Sequence, residues 1–271
     1  METVSIADRF VAGGDKLTFF GGPCTAESAE LCLEVAGYLK ELCRELDVQY
    51  VFKASFDKAN RSSGASRRGP GVELGLEYFR QVKKELDVPV ITDIHECWEA
   101  EAVASVVDVL QIPAFLCRQT DLLEAAGRTG LPVNVKKGQF MAPEDMKGAL
   151  EKVRATGNRK VMLTERGTSF GYHNLVVDMR GLATMRSFGV PVVFDATHSV
   201  QLPGGLGNAS GGNREFVYPL ARAAAAVGID VLFAEVHPRP EQAWSDGPNS
   251  LDFKMIRTVL AKVRELYEIG C

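Results

Sequence analysis

The sequence of 271 residues lacks any apolar run of about 18 residues, the length a helix needs to cross a bilayer, so it offers no candidate membrane-spanning helix. It also lacks a basic excess: 31 Lys and Arg stand against 35 Asp and Glu, a formal net charge of -4. Nucleic acids and anionic membranes are held by extended basic faces, and this balance excludes them as general partners. The six cysteines (Cys24, Cys32, Cys43, Cys97, Cys117, Cys271) show none of the short spacings of a disulfide scaffold. The opening METVSIADRF lacks the basic start and apolar core of a secretory leader. Both absences point to a reduced, cytoplasmic protein. No low-complexity tract or linker interrupts the chain. With 46% hydrophobic and 24% charged residues it can bury a full core, and one domain over 1–271 is expected.

What the chain does contain is a regular alternation. Eight short runs of β-branched and aromatic character recur: Leu17–Gly21, Tyr50–Lys53, Pro89–Thr92, Val109–Ile112, Pro132–Val135, Lys160–Leu163, Pro191–Phe194 and Val231–Ala234. Between them lie stretches with helical spacing, such as Leu31, Val35, Leu39, Leu42 and Leu46, or Met255, Val259, Val263 and Leu266. Eight such units predict a (β/α)8 barrel of the α/β class. A doubly wound sheet would place a G-x-G-x-x-G fingerprint after its first strand, and GGPCTAES does not fit one. The glycine-rich segment Gly204–Gly212 lies well past a strand and reads as a mobile loop. Residues 1–16, with Val4, Ile6 and Val11 apolar and Gly13, Gly14 and Asp15 as turn residues, predict a short hairpin that plugs or edges the barrel.

In this fold the site lies where the strands end. Their ends bring Cys24, then Lys53 with Ser55 and Lys58, Asp93 with His95, Gln111, Asn134 with Lys136, Arg166, Asp195 with His198, and Glu235 with His237. Lys53 and Lys136 sit among apolar residues, where an unpaired charge is costly. Asp93, Asp195 and Glu235 could neutralise them in a structural network. Cations at several strand ends instead favour a bound polyanion, such as a phosphate with a carboxylate. Between Lys53 and Arg68 five cations accompany the single anion Asp57, and this cluster points to a small anionic ligand.

A closed barrel also makes its seventh, eighth and first strands neighbours, which gathers Cys24, His198, Glu235 and Asp246. Thiolate, imidazole and carboxylates together suit Zn²⁺, Fe²⁺, Mn²⁺ or Co²⁺ better than Mg²⁺ or Ca²⁺. Cys32, Cys43, Cys97 and Cys117 read as packing residues.

The motifs FGGPCTAES, FKASFDKANRSS, RGPG, TDIHE, LQIPAFLCRQTDL, VNVKKGQF, TERGTSFGY, DATHSVQ and FAEVHP follow one another along nearly the whole chain. In these the chain resembles the 3-deoxy-D-manno-octulosonate 8-phosphate synthases. Those are (β/α)8 enzymes that condense phosphoenolpyruvate with arabinose 5-phosphate and release phosphate. The resemblance implies Lys53, Ser55 and Lys58 at the phosphoenolpyruvate carboxylate and Gln111, Lys136 and Arg166 at its phosphate. It further implies Asn60, Arg61 and Ser62 at the distal phosphate of the sugar, with Asp93 against the sugar itself. Lys58, Asp93, His198 and Asp246 become the catalytic set, Lys58 as a proton donor if its neighbours lower its pKa. Cys24 is what metal-requiring members carry where metal-free ones carry asparagine. A homotetramer is implied as well. Two other readings are a 3-deoxy-D-arabino-heptulosonate 7-phosphate synthase, which uses erythrose 4-phosphate, and a noncatalytic barrel that binds phosphorylated ligands. The segment Asn60-Arg61-Ser62-Ser63 favours the five-carbon sugar over the first.

Overall fold

The computed structural model describes residues 2–60, 64, 66–205 and 210–270. Eight parallel strands close into a barrel: β1 (Thr18–Gly22), β2 (Gln49–Lys53), β3 (Val90–Asp93), β4 (Val109–Ile112), β5 (Val133–Lys136), β6 (Val161–Glu165), β7 (Val192–Asp195) and β8 (Val231–Glu235). Neighbours pair in chain order, and β8 closes on β1 with Glu235 opposite Gly22. The strands are buried on both faces, as a parallel sheet covered by helices requires. Their residues nevertheless alternate. Phe19, Phe52, Val90, Leu110, Val133, Leu163, Phe194 and Leu232 pack outward in the core shared with the helices. Phe20, Val51, Ile91, Val109, Met162, Val193, Val231 and Phe233 form a separate interior cluster.

The helices are α1 (Ala29–Glu45), α2 (Val72–Leu86), α3 (Glu99–Ala104), α4 (Thr120–Arg128), α5 (Met146–Arg154), α6 (Arg180–Arg186), α7 (Val217–Val227) and α8 (Phe253–Gly270). Helix α1 shows why they form. The Ser28 hydroxyl accepts the Leu31 N–H at 3.2 Å and caps it, and Leu31, Val35, Leu39 and Leu42 share its buried face. Tyr38 of α1 stacks on Phe253 of α8 at 3.9 Å between ring centroids, which ties the last helix to the first. No helix among the described residues is long and apolar enough to cross a membrane.

The N-terminal hairpin pairs Val4–Ile6 with Phe10–Ala12. Val4, Ile6 and Ala12 are buried against the interior cluster, so the hairpin plugs one end of the barrel. Burying Val4 and Ile6 stabilises the fold by about 1.5–3 kcal/mol each. The other end is where the side chains turn polar. Residues 206–209 lie outside the described part of the segment read as a mobile loop; its flanks pair as two short strands, Gln201 opposite Gly212 and Leu202 opposite Gly211.

Candidate active site

Two residues beyond the apolar interior cluster, each strand period returns an inward side chain, and nearly all of these are polar: Lys53, Asp93, Gln111, Thr164, Asp195 and Glu235, with Asn134 and Lys136 from β5. At β1 the place is taken by Gly22, because a Cβ there would lie 2.0 Å from the Lys53 carbonyl oxygen. Cys24 follows just beyond it. Of these, Lys53, Asp93, Gln111 and Lys136 line a cavity of about 300 Å³, into which Lys58, Asn60, Arg166, His198, Gln201 and Asp246 also face.

On one side of this layer of strand-end residues the polar groups satisfy each other. The Thr164 hydroxyl donates to Asn134 Oδ1 at 2.7 Å, Asn134 Nδ2 to Gln111 Oε1 at 2.9 Å, and Gln111 Nε2 to Asp93 Oδ1 at 2.5 Å. From the opposite direction Lys53 Nζ donates to Ser55 Oγ at 3.0 Å, and Ser55 Oγ donates to Asp93 Oδ2. Every donor in this belt points toward Asp93. Burial raises the Asp93 pKa, but the charges of Lys53 and Lys58 outweigh it and hold the carboxyl well below its usual range. Both oxygens of Asp93 are engaged, and Gln111 commits its Oε1 and one of its two amide hydrogens to the belt.

The opposite side, where β7, β8 and β1 meet, is unsatisfied. Glu235 is fully buried, and neither carboxylate oxygen has a hydrogen-bond partner among the described residues. Lys53 Nζ stands 3.6 Å and Lys58 Nζ 3.8 Å from its Oε1. Burial works against the charge on Lys58, yet the Cys24 sulfur in its anionic form and the carboxylates of Glu235, Asp93 and Asp246 push its pKa well above the ordinary lysine value. The condition set for a proton-donating Lys58, a pKa lowered by its neighbours, is thus not what these charges produce. Arg166 Nη2 donates to Gln201 Oε1 at 3.1 Å, whereas its Nε and Nη1 are buried without a partner. Lys136 Nζ lies 2.5 Å from Asp195 Oδ2, and burial pulls its pKa downward.

Asp195 also accepts from His198 Nδ1 at 2.7 Å and from the His198 N–H at 2.9 Å. The other ring nitrogen, Nε2, faces Glu235 Oε1 at 3.4 Å. The Cys24 thiol donates to Asp246 Oδ2 at 3.2 Å and accepts from Ser245 Oγ at 2.7 Å. Burial raises its pKa well above the usual thiol value. Ligand atoms of Cys24, Glu235 and Asp246 lie within 4.8 Å of one another. His198 falls outside that trio but adjoins it through Glu235.

A cation here would partner the two orphaned Glu235 oxygens and favour the thiolate, so these residues fit a metal ion. Asp246 takes part at φ 51°, a left-handed conformation that aspartate tolerates and that the Asn249 and Ser250 N–H bonds to its carbonyl hold in place.

Asn60 lines the cavity, whereas Arg61 and Ser62 lie outside the described residues. The cationic cluster near Lys53 divides: Lys53 and Lys58 face the cavity, Arg68 pairs with Asp57, and Arg67 lies over the Trp244 ring at 4.7 Å. Cys97 is exposed, which corrects its reading as a packing residue; it stands in the turn that enters α3, on the solvent side. Cys32, Cys43 and Cys117 are buried as expected.

Sequence reasoning passed over Gln201, Ser245 and Thr164. Thr164 is two residues past the buried Met162, and that strand period could have found it. Gln201 opens a two-residue strand and Ser245 lies in a loop, and neither segment is long enough for a period to signal them.

The model of the DAHP synthetase I family matches residues 2–270. A protein of Dechloromonas aromatica named 2-dehydro-3-deoxyphosphooctonate aldolase is 60% identical over 255 residues, which cover 93% of this chain and 92% of that one. A Fusobacterium nucleatum protein of the same name is 55% identical over 266 residues, covering 98% of this chain and 96% of its own. A third of that name, from Cyanothece sp., is 56% identical over 256 residues and 94% of each chain.

Proposed function

The chain belongs to the DAHP synthetase I family, and on that premise we propose that it condenses phosphoenolpyruvate, D-arabinose 5-phosphate and water into 3-deoxy-D-manno-octulosonate 8-phosphate and phosphate. The family is named for the enzyme that uses erythrose 4-phosphate, so membership alone leaves the sugar open. The shared name of the relatives at 55–60% identity favours the five-carbon sugar. The observation that carries the reading is a cavity lined by Lys53, Lys58, Lys136 and Arg166 whose lining residues Asp246 and His198 adjoin a buried thiol, Cys24, and a carboxylate, Glu235, without a hydrogen-bond partner among the described residues. A barrel that only bound phosphates would use the wall and have no need of the second feature.

The two substrates are both anions and repel each other in water. Lys53, Lys58, Lys136 and Arg166 hold them together, and the two free nitrogens of Arg166 suit a phosphate. Lys53, Ser55 and Lys58 take the carboxylate of phosphoenolpyruvate, with Gln111, Lys136 and Arg166 around its phosphate. Asn60, Arg61 and Ser62 hold the distal phosphate of the sugar. C3 of phosphoenolpyruvate forms the new bond to the sugar aldehyde carbon, whose oxygen becomes an alkoxide. Water adds its oxygen at C2, and the C2–O bond to phosphate breaks. The electrons of the C2=C3 π bond form the new C–C bond; one proton of the water goes to the alkoxide, and the other leaves with phosphate as the C2 hydroxyl collapses to the ketone. Lys58, charged and facing this region, stabilises the developing oxyanion electrostatically. Asp93, with both oxygens engaged, orients and counterbalances the lysines.

Cys24, His198, Glu235 and Asp246 would hold a divalent transition metal, Zn²⁺, Fe²⁺, Mn²⁺ or Co²⁺. When bound it would supply Lewis acidity toward a substrate oxygen or a water. A cytoplasmic setting is supported by five free cysteines among the described residues. A homotetramer is supported by exposed Phe115, Phe140, Phe170 and Tyr172, which follow β4, β5 and β6 at the mouth and would be covered by a neighbouring subunit.

The test is phosphate release from phosphoenolpyruvate with arabinose 5-phosphate or erythrose 4-phosphate, each with and without chelator. Release with the five-carbon sugar alone, lost on chelation and restored by a transition metal, is expected. Release with erythrose 4-phosphate only, or with neither sugar, overturns the reading. Full activity in metal-free protein overturns the metal assignment.

A further inference from the structure

We propose that Gln201 is a positioning residue through which the anion end and the metal end of the cavity sense each other. Its side chain joins one group from each end. Oε1 accepts from Arg166 Nη2 at 3.1 Å, and Nε2 donates to Asp246 Oδ1 at 2.7 Å. The amide has one workable orientation. Turned over, it would set an NH2 against the guanidinium and a carbonyl against the carboxylate.

Beyond these partners the path continues on both sides. Asp246 Oδ2 accepts from the Cys24 thiol at 3.2 Å. On the other side Nε and Nη1 of Arg166 are buried and await an anion. Gln201 thus bonds directly both to the arginine of the cationic wall and to a member of the candidate ligand trio. Its backbone is fixed independently of both: it pairs with Gly212 in the short strand pair, and the Asn213 N–H closes on the Val200 carbonyl at 3.0 Å. The space above Gly212 is filled by Asn249, whose Oδ1 would lie 1.5 Å from a Cβ on that glycine. A side chain held at its base and shared between two ligand sites transmits a shift at one to the other.

An anion that draws Arg166 toward itself changes the pull on Oε1, and with it the hold of Nε2 on Asp246. Binding couplings are reciprocal, so a metal that reorients Asp246 must change anion affinity by the same factor. This inference rests on the proposed function for the identity of the anion.

The test measures Co²⁺ affinity of the full-length metal-free protein by competition with a chromophoric chelator, with and without saturating phosphoenolpyruvate. In the parent, phosphoenolpyruvate is expected to shift Co²⁺ affinity by about fivefold or more, the lower range of such couplings. In Gln201→Met, which keeps length and loses both hydrogen bonds, the factor is expected to fall by at least about threefold while both ligands still bind. Gln201→Glu pairs its carboxylate with Arg166 and sets it against Asp246. It is expected to weaken phosphoenolpyruvate binding more than Gln201→Met does, a second readout if Gln201→Met folds poorly. A parent that binds both ligands without coupling overturns the proposal, and so does a Gln201→Met protein whose factor equals the parent's. A parent that binds neither phosphoenolpyruvate nor Co²⁺ overturns the proposed function itself, and the coupling with it.

Discussion

The two sides of the polar layer at the strand ends are built from the same strand positions and differ in what they leave undone. Along β3 to β6 the belt from Thr164 to Asp93 pairs its donors and acceptors within the protein. At the seam of β7, β8 and β1, Glu235 keeps two orphaned oxygens, and nearby Arg166 keeps two orphaned nitrogens, all buried. A buried polar group without a partner costs stability. Other buried atoms, such as Thr18 Oγ1 and Arg154 Nε, also lack partners among the described residues, but only at this seam do four of them belong to two charged side chains beside the cavity.

The comparison breaks most visibly at the seam. Glu235→Gln is expected to lower kcat/KM at least about 100-fold, as loss of an electrostatic group at a reacting centre does. Its Tm is expected to fall only modestly, because the side chain has no hydrogen-bond partner among the described residues to lose and Asp93, 3.7 Å from Lys53 Nζ, still offsets the lysine charge. A large fall in Tm from thermal unfolding would show that the seam is structural after all. Asn134→Ala reverses the pattern. It strips Gln111 Oε1 and the Thr164 hydroxyl of their partner, and urea unfolding should show a loss of about 1–3 kcal/mol. Unchanged stability would deny that the belt is a frame.

A finer test adds Thr164→Val. If the two act through one hydrogen bond, the double variant is destabilised by less than the sum of the singles, by about 0.5 kcal/mol or more. Smallest is a control away from both sides. Glu99 accepts the His95 N–H at 2.6 Å and the Glu96 N–H at 3.2 Å. Burial raises its pKa, but these bonds and the interaction with His95 outweigh it, so the carboxyl titrates below its ordinary value of 4.5. A group with a depressed folded pKa adds stability above the unfolded pKa and loses it as pH falls through the folded one. The advantage of the parent over Glu99→Gln, about 1 kcal/mol near neutrality, should hold above pH 4.5 and fade below it. A constant difference across that range would exclude the carboxylate as its source.

Much of the frame was legible in the sequence, because apolar runs and helical spacing record what each element buries. Tyr50–Lys53 and Val109–Ile112 end where the strands end, but the other expected strands stopped short at their C-terminal ends. Pro89–Thr92 proved to be Val90–Asp93, Pro132–Val135 proved to be Val133–Lys136, and Pro191–Phe194 proved to be Val192–Asp195. A hydrophobic run ends where its apolar residues end, but the backbone ladder continues under a charged side chain. The residues clipped were thus the functional ones. The strand-end chemistry was also visible as residue types. The direction of the Lys58 shift was not, since it depends on how many carboxylates closure brings to face it. Gln201 and Ser245 were illegible for a related reason, as side chains in such short segments gain their partners only when distant segments meet.

The belt has a polarity, and that polarity limits how the chain can change over generations. Thr164, Asn134 and Gln111 each donate in one sense around the barrel and end on Asp93. An acid at position 111 would lose the donor that faces Asp93, and an apolar residue at 134 would strand both neighbours. Single replacements at these links are therefore penalised even when a concerted set would be harmless. Positions 111, 134 and 164 should be inherited as one unit, so that a lineage departing at one of them departs at the others as well.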